Sequence, residues 1–75
     1  MTKAYVLLNS EMGFEKSIQD ELIGISSVRS VFKTFGAYDL ILQIEEQDSD
    51  FLKEVVFHRI RKIVGVKQTM TLMIT

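Results

Sequence analysis

Twice along this chain the apolar residues switch from a strand-like to a helix-like spacing and back, and that order restricts the fold more than any single motif. Lys3 to Asn9 (KAYVLLN) is a nearly continuous apolar run rich in β-forming residues, which predicts a short strand covered on both faces. After the turn-like Ser10 to Gly13, Phe14, Ile18, Leu22 and Ile25 recur at helical spacing, with Glu15, Lys16, Gln19, Asp20 and Glu21 on the opposite side. Gly24 is expected to cap this helix in the left-handed region, where glycine meets no Cβ penalty. Val28 to Phe35 (VRSVFKTF) mixes polar and apolar residues with a partial period of two, the pattern of an edge strand or a bulged one. Gly36 and Ala37 make a connection too short for a crossover, so the following run forms a hairpin with it. In that run Tyr38, Leu40, Leu42 and Ile44 alternate with Asp39, Ile41, Gln43 and Glu45.

The second half repeats the order. Asp48, Ser49 and Asp50 supply capping and acidic side chains where a helix begins, and Arg59, Arg61 and Lys62 stand where it ends, both suited to the helix dipole. Between them Phe51, Leu52, Val55, Val56, Ile60, Ile63 and Val64 form one apolar stripe, and Gly65 terminates it. Val66 to Thr75 then alternates, with Val66, Gln68, Met70, Leu72 and Ile74 against Lys67, Thr69, Thr71, Met73 and Thr75. The order β-α-β, hairpin, β-α-β predicts an α+β, ferredoxin-like βαββαβ domain: a four-stranded antiparallel sheet with two helices on one face. If Leu40, Leu42, Met70 and Leu72 face the helices, Ile41, Thr69, Thr71 and Met73 project from the bare face, and a second copy is the simplest cover for it.

Composition points the same way. A chain of 75 residues buries only about 60% of the surface its unfolded form exposes, so its core needs a supplement. There is no cysteine and a single histidine, which excludes disulfides, thiolate metal sites and a histidine cluster. With 47% hydrophobic residues and a mean hydropathy of +0.16, self-association into at least a dimer is the expectation. Nine Lys and Arg against ten Asp and Glu, for a pI near 5.7, match a polyanion poorly, so no direct nucleic-acid contact is expected. No apolar run approaches the ~20 residues that span a bilayer, and no leader pattern is present, so the default reading is a cytoplasmic protein without a membrane partner. No linker, low-complexity tract or proline appears, and residues 1–75 are expected to form one domain.

Little of the residue chemistry suits catalysis. No serine lies in a nucleophile elbow, and His58 falls on the polar side of its helix between Phe57 and Arg59. Glu45 and Glu46 are neighbours in a strand, so their side chains point to opposite faces rather than sharing a site. The glycines, at 13, 24, 36 and 65, are too dispersed to cradle a phosphate, so no cofactor or metal is expected. Lys33-Thr34-Phe35-Gly36-Ala37-Tyr38 superficially matches the aromatic RNA-binding motif of the RRM, but Thr34 replaces a glycine, Asp39 is acidic, and phosphate-holding cations are missing around it.

The same stretch reads more informatively as a binding corner. Phe35 to Asp39 puts a tight turn, its backbone N–H groups and a carboxylate within a few residues. An amino acid's ammonium needs an acceptor, which Asp39 offers, and its carboxylate needs donors, which the Gly36 turn and the hydroxyls of Thr69 or Thr71 offer. The plainer reading is that Gly36 turns the hairpin, Asp39 caps a backbone group, and the threonines are ordinary strand residues.

The segment Thr34-Phe35-Gly36-Ala37-Tyr38-Asp39-Leu40-Ile41-Leu42, with Ile63-Val64-Gly65-Val66-Lys67-Gln68-Thr69-Met70-Thr71, resembles the RAM (regulation of amino acid metabolism) domain of the Lrp/AsnC transcriptional regulators. The likeness runs from Ala4-Tyr5-Val6-Leu7-Leu8 to the last residue. It implies a ferredoxin-like fold, dimers joined through their sheets, and rings of dimers, commonly octamers or decamers. It also implies an amino-acid-like effector bound between dimers, with Gly36, Tyr38, Asp39, Thr69 and Thr71 as the site. Nothing before Lys3 encodes a helix-turn-helix domain, so the chain is most similar to stand-alone RAM proteins, and co-assembly with full-length Lrp/AsnC regulators through the same sheet face is a further expectation. Ser26 and Ser27 stand where the family often has Pro-Gly, and Phe35 stands where it more often has a small or hydroxyl residue, which changes the pocket's shape. Other readings of the same fold are a ligand-free adaptor oligomer, a small dimeric enzyme resembling the antibiotic biosynthesis monooxygenases, and an ACT domain. The enzyme lacks an evident acid, base or metal site here, and the ACT ligand loop is poorly matched by Asn9 to Gly13.

Overall fold

The computed structural model describes residues 1–74; Thr75, the expected end of the last strand, lies outside the described residues. Strands β1 (Thr2–Ser10), β2 (Val28–Lys33), β3 (Leu40–Glu46) and β4 (Val66–Ile74) are joined by helices α1 (Glu15–Ile23) and α2 (Ser49–Val55), the latter continuing into a π-helical turn, Val56–Ile60. The sheet runs β2-β3-β1-β4 and each neighbouring pair is antiparallel, which is the split βαβ order of a ferredoxin-like fold.

Alternation along the strands sorts the sheet into two unlike faces. Ala4, Val6 and Leu8 of β1 and Leu40, Leu42 and Ile44 of β3 are buried against Ile18 and Leu22 of α1 and Leu52, Val56 and Ile60 from α2 and its π turn. As expected, β2 is an edge strand with a bulge, its register shifting between Val28 and Ser30. The helices cover β1 on one face only, so the expectation that this chain covers both is corrected: Tyr5 remains 38% exposed on the other face.

The register also corrects the expected facing of β4. Thr69 pairs with Leu8 and Thr71 with Val6, both core residues, so Thr69, Thr71 and Met73 lie on the helix face. Met70 pairs with Leu7 and Leu72 with Tyr5, which puts Met70, Leu72 and Ile74 on the open face. Ile41 is on the open face, as expected. The reason is that β4 is an edge strand paired with β1 alone, and its register against β1, not its own alternation, decides which side meets the helices. One consequence is a row, Phe32, Ile41, Leu7 and Met70, that crosses all four strands on the open face.

The helix ends differ from one another. Asp48 accepts a hydrogen bond from the Phe51 N–H at 2.9 Å, the expected cap of α2. Gly65 sits at φ +98° and ends the second helical segment, whereas Gly24 stays right-handed at φ -75°, so its expected left-handed cap is not formed. The expected single helix is α-helical through Val55 and then widens, with the Arg61 N–H donating to the Val56 carbonyl at 2.9 Å. Leu52, Val56 and Ile60 are spaced by four, a step that drifts by ~40° each time in an α-helix of 3.6 residues per turn. The wider turn takes up that drift and keeps all three buried. Phe51 and Val64, placed in the stripe by spacing, are exposed.

Candidate functional site

Five residues were singled out by sequence, and the fold places them in two groups. Gly36, Tyr38 and Asp39 belong to the loop joining β2 to β3. Gly36 has φ +117°, which favours glycine, while the Thr34 N–H donates to the Asp39 carbonyl at 3.0 Å and the Thr34 hydroxyl donates to the Tyr38 carbonyl. The corner is anchored to the end of β1: the Asp39 N–H donates to the Leu8 carbonyl at 3.0 Å, and Asp39 Oδ2 accepts the Ser10 N–H at 2.9 Å. Asp39 is therefore a positioned carboxylate whose second oxygen has no hydrogen-bond partner among the described residues. Tyr38 reaches across the sheet end, its hydroxyl 3.8 Å from Met70 Sδ.

On the helix side of this corner is a hollow of about 410 Å³ that brings Asp39 together with Glu15, Lys16, Lys33 and Thr34. Its charges are mixed, two acids and two cations, as a zwitterion's recognition requires. Phe35 stands fully exposed at its rim.

Thr69 and Thr71 lie elsewhere, on β4, with β1 between them and the corner. They line a groove of about 380 Å³ whose other wall is α2 and its π turn: Lys53, Val56, Phe57 and Arg61, with Met73 at one end. Arg61 stacks on Phe57, its guanidinium carbon 4.9 Å from the ring centroid. Sequence reasoning missed Lys53, Phe57 and Arg61 as lining residues. Their signal was a spacing of four, the same as that of Leu52, Val56 and Ile60 one position earlier, which marks one line along the helix. The threonines and the corner are thus separate surfaces of a single chain, and one small ligand touching all five residues requires a second copy.

A third hollow, about 670 Å³, runs along the outer side of α2 past Asp48, Asp50, Glu54 and His58. It is bounded by that helical segment alone, and its Glu54–His58 contact at 3.5 Å is an exposed i,i+4 pair. No three His, Cys, Asp or Glu side chains group as a metal-ligand set among the described residues, and no helix among them is long and apolar enough to cross a membrane.

Comparison with known proteins places this geometry. The structure superposes on the crystal structure of FFRP-DM1 with a TM-score of 0.96 at 25% identity, covering 100% of each chain. It matches the crystal structure of a transcriptional regulator–L-Met complex from Neisseria meningitidis with a TM-score of 0.92 at 16% identity, covering 99% of this chain and 49% of that one. Among curated proteins, the homocitrate synthase of Sulfolobus acidocaldarius is 33% identical over 61 residues, which is 81% of this chain and 13% of that protein's length. The family model described as the Lrp/AsnC ligand binding domain matches residues 3–75, and the chain belongs to that family.

Proposed function

We propose that this chain is an effector-sensing oligomerisation domain that acts in the cytoplasm and performs no catalysis of its own. Copies meet through the open sheet face, and dimers assemble further into a ring of the octamer or decamer kind. An amino acid or similar small molecule binds between dimers, where the corner of one copy (Gly36, Tyr38, Asp39) is brought against the β4 threonines (Thr69, Thr71) of another. Effector binding then biases the assembly, provided two assemblies bind it unequally, and full-length Lrp/AsnC regulators are natural partners for the same sheet face.

The observation that carries this reading is the open face itself. Tyr5, Phe32, Met70 and Leu72 are 38 to 57% exposed there on strands that pair in register, a continuous apolar surface rather than scattered residues. The ligand half rests on the corner's fixed carboxylate and on family membership, and the L-Met complex of the Neisseria relative supports an amino acid as the first class to try. The homocitrate synthase match supports a module that also occurs within a longer chain, not catalysis by this segment.

The test is native mass spectrometry with and without an amino-acid pool, paired with melting curves in each of the twenty amino acids. A ligand present at ~100 times its Kd adds about 2.7 kcal/mol of stability, roughly 10–20 °C in a domain of this size. Asp39→Ala is expected to abolish that shift while the oligomer mass is unchanged. A monomer at micromolar concentration would refute the assembly; melting unchanged by every amino acid would leave a ligand-free adaptor.

A further inference from the structure

We propose that the groove between α2 and β4 recognises a small carboxylic acid that carries no ammonium group, a 2-oxo acid with an apolar tail being the class that fits. This rests on the sensor reading above, and it concerns the groove as a single chain forms it, without another copy's Asp39 corner.

Charge is the first argument. Lys53 and Arg61 both line the groove and no acidic side chain does. The ion pairs of the described residues are Arg29–Glu45 and Glu54–His58, so neither cation has a carboxylate partner among them. Arg61, with Lys53 at the edge that the groove shares with the acidic side of α2, makes the lining net positive, and a partly enclosed hollow strengthens the pull of that charge on a carboxylate. Arg61 is also pre-positioned: stacked on Phe57, its guanidinium keeps its in-plane donors available for the paired oxygens of a carboxylate.

The walls specify the remainder of the ligand. Thr69 and Thr71 line the groove, are half-buried, and their hydroxyls take part in none of the side-chain hydrogen bonds of the described residues. They are donors suited to a carbonyl oxygen next to the carboxylate. Val56, Phe57 and Met73 make the rest of the lining apolar, and a volume of about 380 Å³ suits a small metabolite with an aliphatic tail.

An amino acid fits this groove poorly for a specific reason. Within one chain its ammonium would share the groove with two cations and meet no lining carboxylate, since Asp39 is beyond β1 and Asp48, Asp50 and Glu54 do not line it. Replacing the ammonium by a carbonyl oxygen removes the repulsion and supplies an acceptor where donors already stand.

Titration calorimetry on the full chain with 4-methyl-2-oxopentanoate and with L-leucine, at equal pH and ionic strength, tests this. The oxo acid is expected to bind about tenfold or more tightly than leucine, a preference set by one charge. Arg61→Met and Lys53→Met, which keep the aliphatic stems, should each weaken the oxo acid by about tenfold, and Thr71→Val by less, with melting temperatures of the unliganded variants near wild type. Binding of leucine equal to that of the oxo acid, oxo-acid affinity indifferent to both charge substitutions, or no saturable binding up to about 10 mM overturns the assignment. If leucine alone binds and Asp39→Ala removes it, the sensor reading stands and the oxo-acid assignment falls.

Discussion

Gly65 answers to two constraints at once. Its φ of +98° is open to few L side chains, and a Cβ built there would lie 2.6 Å from both Cβ and Cγ of Phe14. Its carbonyl also accepts the Glu11 N–H at 2.7 Å, tying the β1–α1 loop to the end of the second helical segment. Gly36 is strained in φ alone, since a Cβ there meets nothing within 4 Å. Gly65→Ala is therefore expected to destabilise by about 3 kcal/mol and Gly36→Ala by about 1 kcal/mol, measured by urea unfolding. Adding Phe14→Gly, which removes the Cβ as well as the ring, should recover the collision part of the Gly65 cost relative to Phe14→Gly alone and leave the dihedral part; equal losses at the two glycines would refute the account. Sequence identifies Gly65 and Gly24 alike as helix-ending glycines, and only one of them needs the freedom. Gly24 leaves α1 through right-handed turns, with the Ile25 N–H bonded to Leu22 at 3.0 Å, which no local pattern distinguishes beforehand. Asp39 was legible as a corner carboxylate because it follows the turn glycine, but its bond to Ser10 joins residues 29 apart and depends on the completed sheet.

Among the elements, strand and helix positions follow from periodicity because burial on one side imposes it, and β3 is the clearest case, its Leu40, Leu42 and Ile44 all buried. The facing of β4 did not follow, because Met70, Leu72 and Ile74 satisfy the same alternation whether they meet helices or a partner copy. Only pairing with β1 decides between the two, since a one-residue shift of register exchanges the faces. The groove was hidden for that reason: with Thr69 and Thr71 assigned to the bare face, nothing connected them to Lys53 and Arg61. The start of α2, by contrast, is local chemistry. Its α-helical part spans seven residues, too short to persist without tertiary support, and Asp48 satisfies one of its free N–H groups. Asp48→Ala should cost about 1 kcal/mol, and Asp48→Asn, which retains the acceptor, clearly less. Because the π turn and Arg61 follow in the same segment, native-state hydrogen exchange in Asp48→Ala is expected to quicken through residues 51 to 61 before it does in β1. Uniform quickening across the sheet would mean that α2 does not open separately.

At the scale of the molecule, the two faces of the sheet differ in what covers them. The helix face provides one core, and the open face carries the row Phe32, Ile41, Leu7 and Met70, next to Tyr5 and Leu72, with Lys3 and Glu45 toward the rim. Apolar exposure alone does not mark an interface: Ile23 on α1 is 70% exposed, more than Leu72 at 49%. What separates them is continuity, because Leu72 has Tyr5 beside it in register and Ile23 belongs to no such row. Covering one leucine is worth about 1.5–3 kcal/mol, and a two-fold contact counts every substitution twice. Leu72→Glu is therefore expected to weaken dimerisation by about 3 kcal/mol or more, roughly a hundredfold in Kd, so that sedimentation at micromolar concentration shifts toward monomer. Its melting temperature should also fall on dilution, since association and folding are linked. Ile23→Glu should leave both measurements unchanged, although it adds the same charge at a more exposed site. If the two variants sediment alike, the open face is not where copies meet, and the site proposed between dimers loses its second wall.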